Sequence, residues 1–372
     1  MKKYRAIGLM SGTSMDGIDL SLIESDGINN LKLLKNYYQP YQDSFKEELF
    51  KTINNQQSLF EIKNIENELT FHHVNIVNDF LKHNNLNSED IDVIGFHGQT
   101  IYHNPQKSIT WQIGNAHILA SQTQIDVIAD LRSRDVALGG NGAPLVPIYH
   151  FHLLKQLAKT NFNNIALLNI GGVSNISIFN KNDENSLSGF DVCFGNALLD
   201  DLISQRLNLK FDSDGELTLK GIADIDLSNK ILQNSIFHQP FPRAFDRQDF
   251  HKILSEVKNL EIADALATYS FILANALKIA IAKLPIKPEI IYVCGGGRKN
   301  LGLMKSLSQI LERITVNDVD SLSLDGDFIE SQAFAFLAIR SLNNLPITFA
   351  KTTGLKKYPH ACGGVFYSKS HL

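Results

Sequence analysis

The feature that most constrains this chain is a pattern met twice. "KYRAIGLM" (3–10) and "GIDLSLIES" (17–25) read as strands joined by a glycine- and hydroxyl-rich turn, and "NNIALLNIGGVSNISIFN" (163–180) is again strand, glycine turn, strand. A third strand follows each, at 31–41 and 186–193, and each half later carries a short apolar strand ending in glycine, at Gly95 and Gly295. Helical spacing of apolar residues fills the intervals at 43–53, 59–83, 115–123, 195–208 and from 301. The interval between matched features, roughly 160 to 200 residues, is far too long for a solenoid repeat and suits a duplicated domain. At 372 residues the chain also exceeds the roughly 250 to 300 at which single cores stop growing. Two similar α/β domains are expected, each offering a glycine turn to a cleft that closes on a ligand.

Composition narrows the function classes. The net charge is −4 with acids and bases interspersed, so no basic run exists to track a phosphate backbone and nucleic acid is not an expected partner. Three cysteines, Cys193, Cys294 and Cys362, form neither a disulfide framework nor a spaced zinc site, which fits a reducing cytoplasm. The apolar run at the N-terminus is cut by Ser11-Gly12, too early for a signal peptide. The most apolar stretch, 262–284, carries Asp264, Asn275, Lys278 and Lys283 and reads as a buried helix instead of a membrane span.

The chemistry-bearing stretches lie at the predicted strand ends. "SGTSMDG" (11–17) is not a P-loop, but it offers backbone N–H groups and the hydroxyls of Ser11, Thr13 and Ser14, donors suited to phosphate oxygens. Asp16 and Asp19 repel bare phosphate and make sense with a divalent cation between carboxylate and phosphate; an ordinary Asp-Gly hairpin is the alternative. "NIGGVSN" (169–175) and "CGGGRKN" (294–300) add two more glycine turns of the kind that hold a nucleotide by its backbone. His97 is a candidate sugar or phosphate contact, or a loop hydrogen bond. Arg132 could clamp an anion bidentately or pair structurally with Asp135. Asp191 is a candidate general base or a helix cap, and Glu330 a site acid or routine dipole compensation in the first turn of a helix.

Taken together, "GLMSGTSMDGIDLSL", "GFHGQTIYHNP", "QIGNAHILA", "ADLRSRDVALGGNGAPLVP", "LLNIGGVSNIS", "GFD" followed by "GNALLD", "CGGGRKN" and "ESQAFAFLA" resemble, in order and spacing, the anhydro-N-acetylmuramic acid kinase family. The resemblance runs from residue 7 to about residue 340. It implies the actin-like ATPase (ribonuclease H-like) fold, with domains at 1–135 plus about 341–372 and at 136–340 around a nucleotide cleft. It implies ATP and Mg²⁺, with 1,6-anhydro-N-acetylmuramic acid and water converted to N-acetylmuramic acid 6-phosphate in peptidoglycan recycling, and a cytoplasmic homodimer. Carried over by residue, Gly12, Thr13, Ser14, Met15, Asp16, Gly17, Ile18 and Asp19 form the ATP phosphate loop, and Gly295, Gly296 and Gly297 lie along the nucleotide. Asp191 activates the water, and His97, Arg132 and Glu330 contact the sugar; Asp16 or Asp19 is the candidate metal ligand. Two departures stand out. Val192-Cys193-Phe194 replaces the family's Thr-Gly-Pro before Gly195-Asn196, and Asn115 stands where an acid is expected. The altered turn motivates a second reading, a non-catalytic nucleotide- or sugar-binding regulator on the same fold. A serine hydrolase ranks last, for want of a nucleophile elbow.

Overall fold

The structure, a computed structural model, describes residues 2–12, 15–54, 56–245, 247–257 and 259–369. Thr13 and Ser14 of the expected phosphate loop lie outside the described residues. By packing, the chain divides into two compact units, Met1–His152 with Phe328–Leu372, and Leu153–Asp327.

In the first unit, β1 (Tyr4–Met10), β2 (Gly17–Ser25) and β3 (Leu31–Pro40) form an antiparallel meander, and β4 (Val93–Phe96) and β7 (Val127–Ala129) add in parallel beside β1. The sheet order is therefore β3-β2-β1-β4-β7, extended by an antiparallel edge strand, Val365–Tyr367, on β7. β1 and β4 are buried over most of their length, as parallel neighbours covered on both faces must be. The helix Ile329–Leu342 lies directly on them. A Cβ at Gly8 would stand 1.9 Å from Ser331 O and one at Gly95 2.1 Å from Phe334 O, so these two strands need glycine for the helix backbone to reach them. That contact carries Glu330, in the helix's first turn, to the end of the sheet where β4 delivers His97.

In the second unit β8 (Asn164–Ile170), β9 (Val173–Asn180) and β10 (Asp183–Phe194) repeat the meander, and β11 (Ile290–Cys294) and β12 (Thr315–Asp318) the parallel pair. The order β10-β9-β8-β11-β12 matches the first sheet strand for strand and direction for direction. This is the ribonuclease H-like arrangement of the actin-like fold, present twice. The apolar stretch at 262–284 is a core helix, Ile262–Lys283, with thirteen residues buried, among them Leu266, Tyr269, Leu273 and Leu277.

The strand β7 is short, because Asp130 takes a left-handed φ of +51° and accepts a bond from Ser133 N at 3.3 Å, turning the chain into the short helix Ser133–Ala137. The segment after β4 forms a separate hairpin, β5 (Gln99–Asn104) with β6 (Ile109–Ile113). Asn115 caps the helix Ala116–Thr123, its Oδ1 accepting from His117 N and Ile118 N at 3.1 Å each, so the amide at the expected acid has a structural task.

Candidate active site

The opening turn is longer than an Asp-Gly hairpin. β1 ends at Met10 and β2 starts at Gly17, which is itself inside the sheet, where a Cβ would stand 2.4 Å from Gln39 O and 2.7 Å from the Tyr38 ring. Met15 adopts φ +54° and donates its N–H to Gly12 O at 3.1 Å, folding the loop back. The Ser11 hydroxyl was counted among the phosphate donors; it is buried, donates to Gln99 Oε1 at 2.6 Å and lies 2.9 Å from Tyr41 Oη. Its place is that of an anchor, with Gln99 Nε2 also reaching Gly12 O at 3.3 Å. Ile18 is buried in the core while Asp16 is exposed and Asp19 partly so. Both acids act on the same two phenols. Burial, with Asp16 and Asp19 adding to it, pushes Tyr38 up to about 12, and Tyr41 is raised by burial and the same acids against the pull of its Ser11 bond.

The three predicted sugar contacts come together in the first unit. Arg132 Nε and Nη2 approach His97 Nε2 at 3.1 and 3.0 Å, and Nη1 donates to Gly142 O at 2.7 Å. A guanidinium has donors only, so Nε2 accepts and the ring proton sits on Nδ1, which donates to Gly98 O at 2.7 Å. Burial first, and Arg132 second, hold the ring well below the usual histidine range, so His97 is neutral. With both nitrogens engaged inside the protein, the imidazole orients Arg132. Glu330 completes the group: burial pushes its carboxyl upward and Arg132 pulls it back. Asp135 does not pair with Arg132. Its carboxylate accepts from Gly142 N at 2.7 Å and Thr353 Oγ1 at 2.6 Å, fixing the glycine-rich loop.

In the second unit the glycine turns meet at the sheet's end. Gly195 N donates to Gly172 O at 3.1 Å and Asn196 N to Gly171 O at 2.7 Å. Gly295 takes φ +75° with a would-be Cβ 2.4 Å from Asn169 Oδ1, and Gly297 packs on Ile170 in the same way; Gly296 faces only Asn196 Nδ2, at 3.5 Å. Arg298 secures this turn, donating to Gly295 O at 3.1 Å and pairing with Asp320 at 3.1 Å and Asp327 at 2.5 Å. Asp191 stands across from Asn175 on β9, at a bulge where Val192 is the extra residue before Cys193 pairs with Ser174 and Phe194 with Val173. Asp191 Oδ2 accepts from Phe245 N at 2.8 Å. The following helix has Gly195 as its N-cap and no side-chain cap, so Asp191 is not a capping residue.

The sequence reading missed two amides here. The Oδ1 atoms of Asn175 and Asn196 are buried with no hydrogen-bond partner, a state that costs about 1–3 kcal/mol each and marks acceptors suited to a ligand's donors. Both lie within the motifs "NIGGVSN" and "GNALLD", beside the glycines.

The profile of the family described as "Anhydro-N-acetylmuramic acid kinase" matches residues 4–368. The chain belongs to that family. The anhydro-N-acetylmuramic acid kinase of Zymomonas mobilis subsp. mobilis is 38% identical over 371 residues, covering 97% of this chain and 99% of the relative. That of Rhodopseudomonas palustris is 38% identical over 357 residues, covering 94% and 96%. Among solved structures, a ROK family glucokinase from Streptomyces griseus in complex with glucose and AMPPNP matches with TM-score 0.45 and 11% identity, over 90% of this chain and 99% of that one. An activator of the 2-hydroxyisocaproyl-CoA dehydratase from Clostridium difficile with bound ADPNP gives the same TM-score and identity, over 91% and 96%. As a member of the kinase family the protein is an enzyme.

Proposed function

We propose that this enzyme converts 1,6-anhydro-N-acetylmuramic acid, ATP and water to N-acetylmuramic acid 6-phosphate and ADP, in peptidoglycan recycling. Asp191 takes a proton from water as the water oxygen bonds to the anomeric carbon. The bond from that carbon to the 6-oxygen breaks, and the freed 6-oxygen takes the γ-phosphoryl group as ADP leaves. Arg132, hydrogen-bonded to neutral His97, and Glu330 bind the sugar. In the first unit the 11–19 turn, and in the second Gly295 to Gly297, are the proposed backbone donors to ATP, since phosphoryl transfer needs positioning and charge stabilisation more than covalent chemistry. Asp16 and Asp19 supply hard oxygen donors of the kind that hold magnesium. Mg²⁺, when bound, neutralises charge on the phosphates.

The observation that carries this reading is the setting of Asp191: a carboxylate 8% exposed, on a bulge, fixed by a backbone N–H and paired across the strands with an amide that has an unfilled acceptor. The regulator alternative rested on the altered turn at 192–194. Past the Val192 bulge, Cys193 and Phe194 continue β10 in pairing with β9, so the acid stays on a strand of the sheet. The test is ADP release with and without the anhydro sugar, with the product examined by mass. Release that depends on the sugar, with a phosphorylated and ring-opened product, supports the reading; sugar binding without phosphate transfer under any divalent metal supports the regulator. The three cysteines are free thiols, which suits a cytoplasmic site of action. A homodimer is the proposed assembly, to be checked by sedimentation.

A further inference from the structure

We infer that Arg243 is a positioning residue for Asp191, an inference that rests on the reading of Asp191 as the base. A bulge leaves its extra residue outside the strand ladder, so the backbone that aims Asp191 needs another hold. Arg243 supplies it. Its Nε donates to Asp191 O at 3.0 Å and its Nη2 to Val192 O at 2.8 Å, the two carbonyls at the bulge. Nη1 donates to Phe237 O and Gln239 O, at 3.1 Å each, tying in the incoming loop. The backbone closes the ring: Asp191 N donates to Arg243 O at 3.0 Å, and Phe245 N, two residues on, donates to Asp191 Oδ2. The guanidinium lies over the rings of Phe241 and Phe245, 4.8 and 5.0 Å from their centroids.

The burial of this cation is informative. Arg243 is 4% exposed, and among the described residues its hydrogen-bond partners are all backbone carbonyls. Burying a charge without a bonded counter-ion is costly, and an apolar side chain would fill the same space more stably. What an apolar side chain lacks is a fork of donors that fixes the Asp191–Val192 peptide and, through Phe245 N, one carboxylate oxygen. The same segment that grips the backbone therefore sets the direction of the side chain.

The test uses the full chain with Arg243→Ala, Arg243→Lys, Asp191→Asn and the double variant Asp191→Asn/Arg243→Ala. Each is assayed for sugar-dependent ADP release, calorimetric sugar binding and thermal melting. Arg243→Ala is expected to lower kcat about 100-fold, the effect of a misplacement near 1 Å, with KM for sugar and ATP changed by about threefold or less. Millimolar guanidinium restores part of kcat, Arg243→Lys falls between parent and alanine variant, and the double variant is no slower than Asp191→Asn. A folded Arg243→Ala with kcat within about twofold of the parent overturns the inference. So does a joint fall of kcat, affinity and melting temperature that guanidinium does not reverse. If Arg243→Ala fails to fold, Arg243→Lys decides: a loss confined to kcat supports positioning, and full kcat or a loss shared with KM overturns it. Asp191→Asn with an undiminished rate overturns the base assignment instead, which separates the two failures.

Discussion

Between β1 and β2 the chain takes residues 11–16, anchors Ser11 on Gln99 and Tyr41, and presents two acids; between β8 and β9 it takes only Gly171 and Gly172, which receive the N–H groups of Asn196 and Gly195. The two turns occupy the same place in the same sheet topology. The longer one is held by side chains and carries Asp16 exposed and Asp19 partly buried, while the shorter one is held by backbone and braces Gly195 and Asn196, where β10 passes into the next helix. The strand ends differ likewise. The first unit gathers Arg132, His97 and Glu330, which we propose bind the sugar, and the second gathers amides and Asp191, which we propose direct water. On that proposal a duplicated fold divides labour by what is grafted onto equivalent positions.

Four perturbations bear on that division. Asp191→Asn is expected to lower kcat about 1000-fold, within the range for losing a general base, with the melting temperature held. Arg132→Met is expected instead to raise KM for the sugar about 100-fold, because it removes the cation facing Glu330 and the donor to His97. If the first variant loses affinity and the second loses only kcat, the division is wrong.

The third contrast lies inside the shorter turn. A Cβ at Gly195 would stand 2.2 Å from Gly171 O, whereas one at Gly171 has nothing nearer than 3.9 Å. Chemical denaturation should show Gly195→Ala losing about 1–3 kcal/mol and Gly171→Ala about 0.5 kcal/mol or less. The smallest effect is in pH. His73 is lowered to about 4 and His150 to about 3, by burial in both cases, and His97 well below its usual value; all three lie in the first unit. Their unfolded rings bind protons below about pH 6.5, so between there and about pH 4 the unfolded state holds more protons. Stability is fully present above that window and falls as acid is added. Hydrogen exchange from pH 7 to 5 should show protection lost first in the first unit's sheet; earlier loss in the second unit's sheet would contradict this.

The duplication was legible because strands, glycine turns and glycine-ended strands recur in one order, each a local signal. Gly8 and Gly95 are different. In the sequence they are two glycines in apolar runs, and only the helix laid across both strands gives them a reason. The hairpin Gln99–Ile113 was missed because its two strands flank a polar turn rather than a glycine pair. His97 shows the limit most clearly: its position at a strand end was readable, but its role follows from Arg132, thirty-five residues away. Arg243 was unreadable for the same reason. Its partners on Asp191 and Val192 are more than fifty residues distant, and no spacing rule links them.

The central claim is that one enzyme couples water attack at the anomeric carbon to phosphorylation of the oxygen released. Turnover with ATP and the anhydro sugar in water enriched in oxygen-18 tests it most directly. The account predicts one heavy oxygen in the sugar, at the anomeric hydroxyl, with none in the transferred phosphate or in ADP. Heavy oxygen in inorganic phosphate, with the sugar recovered still anhydro, would contradict it.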